Sequence, residues 1–476
     1  MTDRLHPSRL DTLPDTVARA RYDRAALSAG IVHLGIGAFP RAHLAAATDA
    51  ALAASGADLR WGIVGVSLRS PDTRDALAIQ QGLYTLALRD ADEHGAPRER
   101  LQVIQCLIEL LVAPENPGVV HERIAGEATR IVSLTVTEKG YLDTARGSTL
   151  DVLAQGLALR RSRGMHGITL LSLDNLPSNG DVLRARLLGL VRTQDAALAD
   201  WVESVCTFPC SMVDRIVPRT TDADRQRIST RLDLEDAWPV VGEPFFDWVI
   251  EDRFAAGRPA WQHGGARFVA DAKPFETLKL RMVNGAHSSL AYLGAMAGWR
   301  TVDRALAIPA LQRYLDAMMR DEIAPTLPAL PGLDLEDYRA RLLQRFANPA
   351  LQHQTHQIAM DGSQKLPQRL LGTVRDRIDA GRPYDRLALA IAGWIHYLSG
   401  VDETGATHVV ADPLAAELAE RLPPLARSVH DGVAHIVAYA PVFGELGRDV
   451  RFVSAVARHL VALRQRGVLA TLEAQP

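Results

Sequence analysis

The stretch KLRMVNGAHSSLAYLGAMAG, from Lys279 to Gly298, places a lysine, an amide and an imidazole within nine residues of an otherwise apolar run. Glu276 stands just upstream in KPFETLK. On a regular helix over 276–290, each residue advances by about 100°, which sets Glu276 at roughly 60°, His287 at roughly 80° and Asn284 at roughly 140° from Lys279. The four side chains then share one sector. A polar stripe facing solvent would account for any one of them, but their convergence inside an apolar run points to catalysis. Lys279, if buried beside a cationic ring, becomes a general base able to take a hydroxyl proton as hydride leaves the carbon. Asn284 can stabilise the developing alkoxide. His287 can orient a substrate hydroxyl, and Glu276 can pass the proton to water. The scheme requires no metal.

Two further polar knots lie elsewhere. SLDNLPSNGDVL holds Asp174, Asn175 and Asn179; its simplest reading makes Asn179–Gly180 a turn and Asp181 the opening of a helix, and leaves Asn175 unexplained. QIAMDGSQKLPQRLLG holds Gln357, Asp361, Ser363 and Lys365, and by itself reads as a loop and helix start.

The elements that must position these residues follow from periodicity. AGIVHLGIGAFPRAHLAAATDAALAAS passes from a β-branched run through a glycine pair to an alanine-rich helix, the strand–turn–helix of a nucleotide-binding unit. Gly35 permits the bend, and Gly37 lets a pyrophosphate approach the backbone. Pro40 replaces the third glycine of that pattern and is tolerated in a helix's first turn. The next strand, WGIVGVSL, runs into RSPD, where Arg69 would suit the 2′-phosphate of NADP and Asp72 the ribose of NAD. LRWGIVGVSL, GLYTLALRD, RIVSLTVTEKGY and HGITLLSLDN are further apolar runs, with helical segments between several of them. The alternation predicts an α/β fold with a doubly wound, largely parallel Rossmann-type sheet over residues 1–275. From 276 to 476 the segments are amphipathic and poor in strand formers, which predicts a mostly α-helical substrate and catalytic domain. The active site is expected at the junction.

At 476 residues, 47% hydrophobic and 23% charged, the chain can bury large cores and fits a two-domain organisation. A net charge of −3 gives no basic face for nucleic acid or membrane and leaves a small-molecule substrate. Cys106, Cys206 and Cys210 fit neither a disulfide framework nor a zinc site. With a polar N-terminal segment and no long apolar run, the expectation is a cytoplasmic protein, monomeric or weakly self-associating.

The motifs VHLGIGAF, TEKGY, DNLPSNG, FPCSMVDRI, KLRMVNGAHS and DGSQKLPQR, in this order, resemble the polyol-specific long-chain dehydrogenases, the mannitol 2-dehydrogenase family. The resemblance spans nearly the whole chain. It implies metal-independent hydride transfer between NAD, or NADP, and an open-chain sugar alcohol or sugar acid. Lys279 then looks like the base, Asn175 and Asn284 like the alkoxide donors, and His287 and Lys365 like substrate contacts. Glu276 matches the proton-channel carboxylate, and Asp214 lies in a segment expected near cofactor and substrate. Gly35, Gly37, Phe39, Arg69 and Asp72 form the cofactor set. Gln357, where a mannitol-type subgroup carries arginine, leans toward the fructuronate reductase branch, which interconverts D-fructuronate and D-mannonate. Mannitol or arabinitol dehydrogenase activity with the same mechanism is the alternative, and an inactive nucleotide-sensing homologue a third. The departures from the family pattern are Pro40 in GAFPRAH, the lack of the usual aromatic within LAAATD, and Cys210 in FPCSMVDR.

Overall fold

The computed structural model describes residues 3–54, 56–92, 96–330, 333–422, 425 and 427–475. The chain divides into two compact units, one running to Asp92 and from Ala96 to Glu276, the other from Thr277 onward.

The first unit is built on five parallel strands in the order Leu107–Val112, Ile63–Ser67, Ile31–Leu34, Ile131–Leu134, Thr169–Ser172. The four inner and right-hand strands of that order are buried along their whole length, as their β-branched content requires of a sheet covered on both faces. Period-two alternation divides the cover. Val32, Leu34, Val64, Val66, Val132 and Leu134 join a core with the helices Pro117–Ala125, Thr149–Ser162, Asn179–Gln194 and Ala196–Val205. Ile31, Ile63 and Ile131 face the other way, into a core with helix Leu44–Ala53, Trp61, Trp248 and Trp261. Chain order moves outward in one direction from Ile31–Leu34 to Leu107–Val112, then restarts on the opposite side at Ile131–Leu134. This is a topological switch point, and cofactors of doubly wound sheets sit at the carboxyl ends of the strands there.

One strand departs from the sequence reading. Tyr84–Ala91, expected in the parallel sheet from GLYTLALRD, pairs antiparallel with Pro97–Ile104 in a separate sheet ordered Val17–Arg19, Pro97–Ile104, Tyr84–Ala91, Val240–Gly242. Only its first half is buried. The buried YTLA half imitates an inner strand, whereas the LRDA half belongs to a hairpin that leaves the core. A third sheet, Ala266–Val269, Asp247–Glu251, Ser211–Asp214, completes the unit.

Among the described residues from 277 onward only helices and turns form, together with isolated bridges. Gly285–Met296 and Asp385–Tyr397 are apolar on nearly all sides and sit inside a single core with Leu311, Met318, Phe346, Leu370 and Phe452. The helical domain expected from the amphipathic texture is the one found. No helix of the described residues is long and apolar enough to cross a membrane.

Candidate active site

The stretch that carries Lys279, Asn284 and His287 is not one regular helix. Helix Lys273–Leu278 passes into a π-helical turn over Lys279–Asn284, and regular helix resumes at Gly285–Met296. The Gly285 N–H donates to the carbonyl of Leu280, five residues back. This corrects the wheel: through a π turn each residue advances by less than 100°, so Asn284 and His287 fall at different angles from Lys279 than a regular helix gives them. The turn begins at Lys279 and ends at Asn284, so it spans the proposed base and amide.

Lys279 and Asn284 are each 7% exposed. Asn284 Nδ2 and His287 Nε2 are enclosed and make no hydrogen bond within the protein. Because an enclosed polar atom left unpaired costs about 1–3 kcal/mol, both atoms fit donors or acceptors kept for a substrate. The His287 ring stacks on Phe346, with centroids 4.9 Å apart and planes at 19°, and lies 5.2 Å from His353. Burial, then the charges of His353, Arg369, Arg345 and Lys365, hold His287 well below the usual histidine range. It is neutral near pH 7, with one donor and one acceptor nitrogen.

Lys365 is among the groups acting on His287, and its Nζ donates to the carbonyls of Ile358 (3.1 Å) and Met360 (2.5 Å). The segment carrying it is clamped by Asp412, which accepts from the Ser363 N–H (2.7 Å) and hydroxyl (2.5 Å). Asp361, at φ 55°, starts the helix Gly362–Leu366. A second π turn, Pro367–Leu371, follows and carries Arg369, which donates to Ser288 Oγ at 3.0 Å. Gln357 is exposed on helix Thr355–Ala359.

In the first unit, the glycine turn has the expected geometry. Gly35 sits at φ 95°, and a Cβ there would meet the Thr135 carbonyl at 2.1 Å, so no other residue fits. A Cβ on Gly37 would meet nothing closer than 3.9 Å, which leaves this side of the turn open to a close-approaching phosphate group. The turn is braced by residues the sequence reading did not single out. His33 bonds Ser133 Oγ (2.8 Å) and Thr135 Oγ1 (3.0 Å), and the Thr135 hydroxyl donates to the Gly35 carbonyl (2.7 Å). The partners lie about one hundred positions apart in sequence, and only the alternation of a strand could have hinted that His33 points into a core. Pro40 is buried in helix Ala38–Ala42, and Phe39 stacks on His43 at 5.0 Å. The family pattern's replaced residue therefore lies inside the helix and not on the open side of the turn. Arg69 and Asp72 are exposed just beyond the strand Ile63–Ser67, with the Ser70 hydroxyl donating to Asp72 at 2.9 Å.

The DNLPSNG segment is organised differently from the expected turn. Asn179 and Gly180 are the first residues of helix Asn179–Gln194, and the tight bend falls on Ser178, at φ 48°. Asn179 is fully buried; its amide donates to the carbonyls of Asp174 (3.0 Å) and Ser211 (2.8 Å) and accepts the Ser211 N–H (2.9 Å). A Cβ on Gly180 would meet the carbonyls of Phe208 and Pro209 at 2.6 Å. The Asn-Gly pair is thus a lock between two strand ends. Asp174 accepts the N–H groups of Val136 (3.0 Å) and Thr137 (2.9 Å) and the Tyr141 hydroxyl (2.7 Å), while burial raises its pKa. Between these fixed neighbours Asn175 is exposed. The Ser178 N–H donates to Glu276 Oε2 at 2.8 Å, and burial pushes the Glu276 carboxyl above its usual range.

Asp214 ends the strand Ser211–Asp214 and is 8% exposed, paired in register with Asp247. Cys210 packs with Met212, Val249 and Ala272; burial pushes its thiol up to about 11. It is a packing residue, neutral near pH 7.

The comparison with known proteins matches both units. The profile described as Mannitol dehydrogenase Rossmann domain matches residues 29–263, and that described as Mannitol dehydrogenase C-terminal domain matches 271–464. The chain belongs to the mannitol dehydrogenase family. It is 42% identical to the D-mannonate oxidoreductase of Escherichia coli (strain K12), over 95% of this chain and 96% of that one. A mannitol 2-dehydrogenase of Phaeosphaeria nodorum is 35% identical over 95% of this chain and 82% of its own. The solved Pseudomonas fluorescens mannitol 2-dehydrogenase, a ternary complex with NAD and D-mannitol, superposes with a TM-score of 0.89 at 35% identity, covering 99% of each chain. The family resemblance drawn from six motifs is therefore correct, and this chain is a dehydrogenase of the mannitol dehydrogenase family.

Proposed function

We propose that this dehydrogenase interconverts D-fructuronate and D-mannonate with NAD, and that Lys279 is its general acid and base. The observation that carries the reading is the π turn that starts at a buried Lys279 and ends at Asn284, whose amide nitrogen is enclosed and unpaired. NAD supplies acceptance of the hydride from the substrate carbon. In the oxidation direction the Lys279 amine would take the proton of the substrate hydroxyl, while bound NAD would accept the hydride from the same carbon. Asn284, together with Asn175, donates to the oxygen as it gains charge. Neutral His287 and Lys365 hold the remaining substrate oxygens. The raised Glu276 carboxyl carries the proton away from Lys279. Gly35, Gly37 and Phe39 seat the cofactor, Arg69 and Asp72 bear on the choice between NAD and NADP, and Asp214 contributes to the substrate end.

The sugar-acid substrate is supported by the 42% identity to a D-mannonate oxidoreductase and by Gln357. D-mannitol is the second reading, favoured by the likeness to the solved mannitol complex. Steady-state rates on D-fructuronate, D-fructose, D-mannonate, D-mannitol and D-arabinitol, each with NAD(H) and NADP(H), test the proposal. D-fructuronate with NADH should give the highest kcat/KM; a higher value for D-fructose would move the assignment to mannitol dehydrogenase.

A further inference from the structure

The loop before helix Thr355–Ala359 holds an imidazole that the proposed mechanism does not use. His353 is half-buried, its Nδ1 is enclosed without a hydrogen-bond partner, and its ring lies 5.2 Å from His287. The placement is built. The His353 carbonyl accepts the Val302 N–H at 3.0 Å, and Gln354 bridges to Thr301. Thr355 Oγ1 anchors the following turn on the carbonyls of Trp299 (2.9 Å) and Arg300 (3.2 Å). The residue before it, Gln352, is held at φ 46°, a strained conformation for a residue with a Cβ, which the surrounding bonds must maintain.

The two rings face a positive field. The neighbouring cations that bear on His287, from Arg369, Arg345 and Lys365, oppose its protonation, and Lys365 acts on His353 in the same sense. Burial is the larger cause for both, so both imidazoles are neutral near pH 7. Two neutral imidazoles offer two N–H donors, and a carboxylate offers two oxygens that only accept. A neutral polyol gains nothing from a positive potential, whereas a carboxylate does.

We propose that His353, together with His287, forms a two-imidazole seat that binds the carboxylate of a sugar-acid substrate and makes the chain prefer a hexuronate or hexonate to a neutral polyol. The proposal rests on the dehydrogenase reading given above. His353 is a substrate-binding and specificity-determining residue, with no part in the proton or hydride transfer.

The test compares full-length wild type, His353→Ala and His353→Asn in NADH-dependent reduction of D-fructuronate and D-fructose. The wild type should prefer D-fructuronate. In His353→Ala the ratio of the two kcat/KM values should drop at least fivefold, with the loss on D-fructuronate coming mainly through KM, and His353→Asn should recover part of it. A smaller change in the ratio, or a wild type that prefers D-fructose, overturns the proposal. If the wild type turns over neither ketose, the dehydrogenase reading fails separately. The seat is then judged by thermal unfolding with D-mannonate and NAD: stabilisation of the wild type that is lost in His353→Ala supports it, and no stabilisation, or equal stabilisation of both, overturns it.

Discussion

The proposed chemistry turns on Lys279: among the described residues, no other buried cation shares a turn with an enclosed amide nitrogen that makes no hydrogen bond. Lys279→Ala should lower kcat by at least about 10³-fold, within the range that positioned acid–base groups contribute, with KM for NADH changed little; stopped-flow binding of NADH separates the two effects. Asp174→Asn should act through structure. It replaces one of the two acceptor oxygens by a donor, so the Val136 and Thr137 N–H groups must share the remaining oxygen and the loop after strand Ile131–Leu134 is held less firmly. Removing a buried partner of this kind costs about 1–3 kcal/mol, to be read as a lower urea midpoint and a several-fold lower kcat/KM. An unchanged midpoint would mean that Asp174 does not hold the loop. The proposed base, amide and imidazole are legible because they are polar intruders in an apolar run. Their supports are not. His33, Thr135 and Asp412 act through partners distant in sequence, and no local pattern marks a hydrogen bond across two strands.

At the scale of elements, periodicity identified the inner strands and the helical second half, since β-branched runs and amphipathic helices declare themselves locally. It failed where a local signal had two solutions. The YTLAL run satisfied both an inner strand and half a hairpin, and only the pairing with Pro97–Ile104 decides. The π turn is invisible for a related reason: its sequence is an ordinary helix former, so nothing local marks the wider spacing. That spacing makes a prediction. Deleting Arg281 should let 276–290 relax toward a regular helix and rotate Asn284 and His287 about 100° relative to Lys279. The deletion should reduce kcat/KM more than 100-fold with far-UV circular dichroism unchanged. Arg281→Ala, which only removes the contacts to Asp376 and Thr326, should stay within fivefold of wild type. Equal losses in both variants would mean that the ion pair matters and the turn does not.

Across the whole molecule, stability at mild acid pH is set by histidines buried in their neutral form in both units. His33 in the first unit is depressed to about 3 and His396 in the second to about 4, each chiefly by burial. A histidine in the unfolded chain titrates near 6.5. Below that pH the unfolded state takes up a proton that the folded state refuses, so stability present above about 6.5 is lost as pH falls toward the folded values. For fully buried His33 the loss between pH 7 and 6 is about 0.7 kcal/mol, from the unfolded-state titration alone. Asp49 works in the opposite direction. Burial raises its folded pKa to about 6, so the folded state gains a proton, and stability, as pH falls from 6 toward the unfolded value near 4. The urea midpoint should therefore fall from pH 7 to 6 and keep falling below 6, where Asp49 offsets only part of the loss from the two histidines. His33→Gln should reduce the first slope, and Asp49→Asn should steepen the second. A midpoint that holds steady or rises between pH 7 and 6 would mean that these imidazoles are already hydrated in the native protein, and that the bracing of the glycine turn by His33 is looser than its two hydrogen bonds indicate.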